Sequence, residues 1–388
     1  MNRKDLRKRV LDNVARLEPE ILRWSDYLYR NPELGNEEFK AVAFLREVLE
    51  EHSFEFQGQV AGLPTAFVAR SGEGEPRVAF LAEYDALPEI GHGCGHNFIA
   101  ASSVGAACAL APLLSELGGE VRVYGTPAEE TSGAKVVMAR AGLFRDVDAV
   151  MIVHPAGETA VGRSSLAMDC VEFIFHGKAA HAASAPHEGI NALDGVIQTF
   201  NAINALRQHV RDDVRIHGII TNGGVAPNIV PELASARFYV RAAKRSYLNT
   251  VVEKVVNCAR GAALATGTRL EISHPELSYD ELITNDRLAA AFAANLRSLG
   301  VELDEPEKGV GSTDVGNVSH VAPTIHPYIA VGPSTLVAHT EEFREAVVSD
   351  AGKRALIVAT QALALTGLEI LTDPDLLQEI RAEFRGRV

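Results

Sequence analysis

Four short polar clusters in this 388-residue chain carry side chains that suit a borderline divalent cation. Cys94 and His96 stand in GHGCGHN (Gly91 to Asn97), Glu130 in GTPAEE (Gly125 to Glu130), His154 in VHP (Val153 to Pro155) and His339 in AHTEEF (Ala338 to Phe343). A thiolate, imidazoles and a carboxylate are the donor set of zinc, manganese or cobalt. Glycines in the first cluster let the backbone turn tightly, so that Cys94 and His96 can face one centre. The adjacent Glu129 and Glu130 suit a division of labour. One binds the ion while the other, held off it, takes a proton from a water that the ion activates. Asp85, in EYDALP at the end of its own strand, suits a group that orients an ion-bound imidazole. Taken singly, these residues have plainer explanations: a packed cysteine, a satisfied core histidine, an acidic pair at a helix start. All four clusters, however, close predicted strands of one sheet, where functional groups of an open α/β fold gather.

The elements that must position them can be read from hydropathy. From about Phe54 to Val153, short apolar strands (TAFVAR, RVAFLAEYDA, EVRVYGT, DAVMIVHP) alternate with helical stretches at Phe98 to Leu117 and Gly133 to Ala141. Near-continuous apolar strands separated by helices predict a largely parallel sheet covered on both faces. The pattern then changes. A half-buried strand at Asp169 to Gly177 precedes a helix over Gly189 to His209. Strands at Val214 to Asn222 and Ala234 to Ala242, a helix over Ser246 to Thr266 and a strand at Arg269 to His274 complete the run. That βαββαβ order is the ferredoxin-like unit, about 100 residues that close on themselves. After Tyr279 the style of the first half resumes, with a strand region in VAPTIHPYIAVG and one closing helix over Glu342 to Thr366. The fold class is therefore α/β: a mostly parallel catalytic sheet interrupted by an inserted βαββαβ domain.

Composition bounds the partners. The formal net charge is -14, and no basic stripe offsets it, so nucleic acid is not expected and a small molecule is. The N-terminus lacks the apolar core of a secretory signal, and no apolar run approaches a membrane span. The four cysteines are scattered without disulfide spacing, which fits a reduced, cytoplasmic protein.

Taken in order, GHGCGHN, PAEE, VHP, GKAAHAA, STD and AHTEEF resemble the M20 family of metallopeptidases and amidohydrolases. The likeness is greatest to its branch of aminobenzoyl-glutamate hydrolases, N-acyl amino acid hydrolases and aminoacylase-like dipeptidases. The resemblance implies a catalytic domain over residues 1–167 and 279–388 holding two divalent ions (Zn, Mn, Co or Ni). It implies a lid and dimerisation domain over 168–278, and hence a homodimer. Cys94 then matches the bridging ligand, and His96, Glu130, His154 and His339 match the other ligands. Glu129 matches the general base, His181 of GKAAHAA a lid histidine that stabilises the oxyanion in a neighbouring subunit's site, and Asn228 of PNIVPE a substrate contact. Asp314 of GSTDVGNVS borders the substrate pocket by the same resemblance. There it could hold a ligand histidine or a substrate amine, or simply bond its own backbone. His181 has the alternative of a solvated turn.

The sequence departs from the family in places. Relatives of the auxin-conjugate type carry Asp where Asn97 stands, and other M20 peptidases begin with His-x-Asp where this chain has Glu83-Tyr84-Asp85. His92 reads as structural or as a neighbour of the ligands. The activity implied is metal-dependent cleavage of the amide of an N-acyl or N-aroyl amino acid, an aminobenzoyl-glutamate-like conjugate or a dipeptide. Three alternatives stay open: hydrolytic deamination of an aryl amine at the same metals, a metal-free hydrolase with Cys94 as nucleophile, and a binding protein that keeps the fold.

Overall fold

A computed structural model of the chain describes residues 2–305 and 311–387. Its central sheet follows from alternation. In the strand Arg77–Ala82, Val78, Phe80 and Ala82 pack into one hydrophobic cluster while Ala79 and Leu81 pack into another. A strand that buries both sets of side chains must have cover on both faces. Six strands lie in the order Glu55–Gly58, Phe67–Glu73, Gly119–Gly125, Arg77–Ala82, Ala149–Met151, Thr324–Ile325. The first two pairings are antiparallel and the remaining three are parallel, as the largely parallel expectation had it.

One face is covered by the helices Arg3–Arg30, His96–Leu110 and Asp350–Thr372. They approach closely at Gly105, where a Cβ would lie 2.9 Å from Ile21 Cδ1 and 3.0 Å from Thr360 Cγ2. His96–Leu117 and Asp350–Thr372 are long and apolar enough to cross a membrane, which the sequence reading did not register. Because 83% and 72% of their apolar windows are buried inside the protein, they are read as core helices.

Three elements differ from expectation. The helix expected over Phe98 to Leu117 ends at Leu110 and continues through a tight turn, Ala111–Leu113, into a single turn at Leu114–Leu117. Pro112 in that turn has no N–H to continue the ladder. The closing helix is two helices, Glu341–Val348 and Asp350–Thr372, broken at Ser349, whose extended backbone and hydroxyl cap the second by accepting from the Gly352 N–H. DAVMIVHP is also two strands. Ala149–Met151 stays in the main sheet, while His154–Ala156 pairs in parallel with Tyr328–Ala330 as a separate ribbon.

The chain divides into two compact units. One runs to Ser164 and resumes at Leu282, apart from a short segment ending at Thr313. The other comprises Ser165–Glu281 and that segment, a little wider than the 168–278 expected. In the second unit, four antiparallel strands lie in the order Arg269–Ser273, Ala167–His176, Leu233–Ala242, Arg215–Asn222. The helices Ala192–Leu206 and Arg245–Thr266 pack Val196, Ile203, Val251 and Val255 against Phe173, Phe175 and Phe238 of that sheet.

Candidate metal centre

GHGCGHN occupies the turn that enters the helix His96–Leu110. Gly95 is in the left-handed region at φ +79°, and a Cβ there would lie 2.5 Å from Pro155 Cγ. Only glycine combines that backbone with so close an approach. The approach sets Cys94 Sγ 3.4 Å from Nε2 of His154, the residue before Pro155. His339, also at positive φ (+67°), donates its backbone N–H to Gly93 O at 2.9 Å, so the late loop is pinned to the first cluster. Its Nε2 lies 3.0 Å from Glu130 Oε1. The turn that carries Glu129 and Glu130 starts at Ala128, likewise at positive φ, whose N–H donates to the buried Glu38.

The five predicted donors thus converge, with Glu129 beside them. Three overlapping sets have their donor atoms within 4.8 Å of one another: Cys94, His96 and His154; Cys94, Glu130 and His339; His96, Glu129 and Glu130. Cys94, His96 and Glu130 each belong to two of the three sets. Asp85 grips this arrangement from behind. Its Oδ1 lies 2.8 Å from His96 Nδ1, and its Oδ2 accepts the Glu130 N–H at 3.0 Å. His96 Nε2 is buried and has no hydrogen-bond partner among the described residues. A buried ring nitrogen left that way among thiol, imidazole and carboxylate donors fits a divalent cation.

Electrostatics point the same way. Burial pushes the Cys94 thiol well above its usual range, so a thiolate there needs a compensating cation. Burial also raises the Glu130 carboxyl, but the His339 ring 3.0 Å away and the His96 ring outweigh it and leave the carboxyl below its usual range. Burial holds the Glu129 carboxyl well above that range, reinforced by the carboxylates of Glu83 and Asp314.

Other predicted residues fall elsewhere. Asn97 turns away from the donors and donates to Ser25 Oγ at 2.9 Å, which ties the loop to the N-terminal helix. His92 does similar work from the loop itself: it is 2% exposed, with Nε2 3.0 Å from Leu28 O. Asp314 faces a buried lysine. It is fully buried, its Oδ1 lies 2.7 Å from Lys135 Nζ, and its Oδ2 accepts the Lys135 N–H at 3.1 Å. Both of its oxygens thus engage Lys135 inside the protein. His181 and Asn228 belong to the second unit, where both are exposed and their segments pair, Ala182 donating to Asn228 O at 3.0 Å. The backbone N–H groups of Ala183 and Ser184 donate to His181 Nδ1, which leaves the proton of the neutral ring on Nε2.

Sequence reasoning missed Lys135 and gave Glu83 no role. Lys135 is fully buried and Glu83 is 1% exposed. Their signal was a lone charge inside an apolar run, AKVVMA for the lysine and VAFLAE for the glutamate.

A doubly covered α/β sheet with these donors around an acidic pair fits a metal-dependent hydrolase. Residues 79–361 match the profile of Peptidase family M20/M25/M40, and the chain belongs to that family. It is 38% identical to the mouse Xaa-Arg dipeptidase over 402 residues, covering 99% of this chain and 93% of that protein. It is 31% identical to one of the subunits of the p-aminobenzoyl-glutamate hydrolase of Escherichia coli, covering 93% and 91%. Among solved structures, a dinuclear metal binding M20 peptidase from Bacillus subtilis superposes with a TM-score of 0.72 at 23% identity, covering 92% of this chain and 99% of that one. An aminobenzoyl-glutamate utilization protein from Klebsiella pneumoniae gives 0.71 at 20% identity, covering 91% and 97%.

Proposed function

We propose that this protein is a two-ion dipeptidase of the M20 family, with the amide of a dipeptide as its preferred bond. The observation that carries the reading is the convergence of Cys94, His96, Glu130, His154 and His339 beside a second carboxylate, Glu129. Cys94, His96, Glu130, His154 and His339 would hold the ions. When bound, the ions supply Lewis acidity to the amide carbonyl and acidify the attacking water. Glu129 takes the proton of that water and returns it to the leaving amine, a role for which a buried carboxyl of raised pKa is suited. His181, with its proton on Nε2, is proposed to donate to the oxyanion in a neighbouring subunit's site, and Asn228 is proposed as a substrate contact.

Among candidate amides, dipeptides with a basic C-terminal residue come first, because the mouse and human relatives at 38% and 39% identity are Xaa-Arg dipeptidases. The net charge of -14 favours approach of a cationic substrate. Aminobenzoyl-glutamate and N-acyl amino acids follow. Assembly as a homodimer through the second unit is part of the proposal. Its edge strand Arg215–Asn222 exposes Ile219 and Ile220 (66% and 45%), the kind of edge that pairing with a second copy covers.

The test is a panel of Xaa-Arg and Xaa-Lys dipeptides, aminobenzoyl-glutamate, N-acyl amino acids and aryl amines. It is assayed before and after chelation and after return of Mn or Zn. Metal-restored cleavage of dipeptides above the rest is expected. Ammonia release from aryl amines without amide cleavage would replace the proposal with a deaminase. Activity that survives chelation and falls to a thiol alkylator would replace it with a cysteine hydrolase.

A further inference from the structure

We infer that Glu38 is a positioning residue for the acidic pair: it holds Ala128 in a left-handed turn, and that turn sends Glu129 and Glu130 to one centre. The inference rests on the two-ion reading of the site, with Glu129 as base and Glu130 as ligand. Adjacent side chains of an extended strand point to opposite sides. Glu129 and Glu130 instead bring donor atoms within 4.8 Å of each other and of His96. The turn that allows this starts at Ala128, which stands at φ +57°, a conformation that costs free energy in a residue with a Cβ. Its carbonyl accepts the N–H groups of Ser132 at 3.1 Å and Gly133 at 2.8 Å, so its orientation governs the rest of the turn.

A strained residue of this kind persists only where its surroundings hold it, and such residues gather at functional sites. Glu38 is placed to do the holding. Its side chain is fully buried. Oε1 accepts the Ala128 N–H at 2.8 Å, and Oε2 accepts the Thr65 hydroxyl at 2.7 Å. Among the described residues no cation pairs with this carboxyl. An interior carboxyl without a counter-charge is costly, and these hydrogen bonds are what the fold gains from it.

The loop that carries Glu38 reinforces the hold. Gly35 packs so closely on the turn that a Cβ there would run into Thr131 Oγ1 and lie 3.0 Å from Ala128 Cα. Asn36 Nδ2 donates to Ser132 Oγ at 3.1 Å. The carbonyl of Glu33 accepts the Ala86 N–H at 2.8 Å, beside Asp85, whose Oδ2 accepts the Glu130 N–H. Residues 33–38 thus tie together the two segments that bear the acidic groups of the site, and the Glu38 side chain reaches the strained residue itself.

The experiment compares wild type, Glu38→Leu and Glu38→Gln, with circular dichroism as the check on folding. Chelator-stripped protein is titrated with Zn(II) against a chromophoric competitor, and kcat and KM for alanyl-arginine are measured after reloading. Leucine fills a similar volume without an acceptor, whereas glutamine keeps one for the Ala128 N–H. Glu38→Leu is expected to lose kcat about tenfold to a hundredfold, the effect of a misplaced base, with KM little changed. It is expected to bind Zn(II) about tenfold more weakly, because Glu130 moves with the turn. Glu38→Gln is expected to recover most of both losses. A role in packing alone would lower stability and leave kcat and Zn(II) affinity of the folded protein intact, so folded Glu38→Leu with wild-type values overturns the inference. Glu38→Gln as impaired as Glu38→Leu overturns it too, since the acceptor would then not be what matters. If the leucine variant does not fold, Glu38→Asp, which draws the carboxyl back by a methylene, takes its place, with the same losses expected and wild-type values refuting. Wild type that binds no Zn(II) overturns the two-ion reading and this inference with it, a result distinct from an unaffected Glu38→Leu. Wild type that binds Zn(II) and leaves alanyl-arginine intact overturns the preference for basic dipeptides, and the Zn(II) affinities still decide the role of Glu38.

Discussion

Replacing Lys135 with methionine should be among the most damaging single changes away from the chemistry, and its cost can be worked from geometry. The ammonium is fully buried and lies 2.7 Å from each of two buried carboxylates. At an effective dielectric of about 20, each such pair is worth roughly 6 kcal/mol before desolvation is subtracted. Desolvating the ions costs several kcal/mol each, so the pairs contribute little net stability while intact. Methionine matches the length of the lysine stem but leaves Glu83 and Asp314 with no counter-ion. Removing one partner of a buried pair in this way costs about 3–5 kcal/mol. For a unit of this size that lowers the midpoint of thermal unfolding by roughly ten degrees.

The deficit must also depend on pH, with a sign that can be fixed. Burial pushes both carboxyls up, and Lys135 is the main force that opposes it in each. Without Lys135 burial is unopposed, so Glu83 loses the force that holds it below its usual range and Asp314 rises further above its own, and the folded variant binds more protons than the unfolded chain. Its stability then falls as pH rises. The gap to wild type should be widest near neutrality and narrow toward pH 5. Urea unfolding at both pH values, followed by circular dichroism, checks both statements. A loss under about 1 kcal/mol, or a gap that widens on acidification, would refute the buried-triad account.

Other expectations are more local. Glu129→Gln should keep both ions by elemental analysis and lose turnover by about a hundredfold to ten-thousandfold, since proton transfer by a placed base contributes that much. Near-normal turnover would remove Glu129 from the base role. Asp85→Asn keeps shape but cannot accept from both His96 and the Glu130 N–H. It should weaken ion binding about tenfold to a hundredfold in a chelator competition. Gly95→Ala must strain a left-handed residue by roughly 1 kcal/mol and drive a methyl into Pro155. Lower stability together with lower ion affinity is expected, and unchanged affinity would show that the loop tolerates the shift.

Much of the site could be read along the chain because the donors lie in short clusters. GHGCGHN gives two donors within three residues, PAEE gives a donor and a base side by side, and the sheet logic of apolar strands said these clusters share one end. Asp85 could also be placed, because a strand's end projects its side chains into the same loops. The hydropathy pattern likewise gave the largely parallel sheet, since strands buried on both faces leave near-continuous apolar runs.

Tertiary structure decided what depends on pairs far apart in sequence. His339 meets Glu130 because a left-handed residue and a backbone bond to Gly93 fold its loop back, and no pattern within AHTEEF announces that bond. The helix break at Ser349 turned on a hydroxyl cap that outweighed a continuous amphipathic pattern. Asp314 read as a loop residue near substrate, but the fold turned it inward to Lys135, 179 positions away. Local sequence fixes which atoms can donate or accept, and periodicity fixes which face is apolar. The partner of a buried charge is chosen only when separate elements pack, since the energy that makes the choice exists only once water has been excluded.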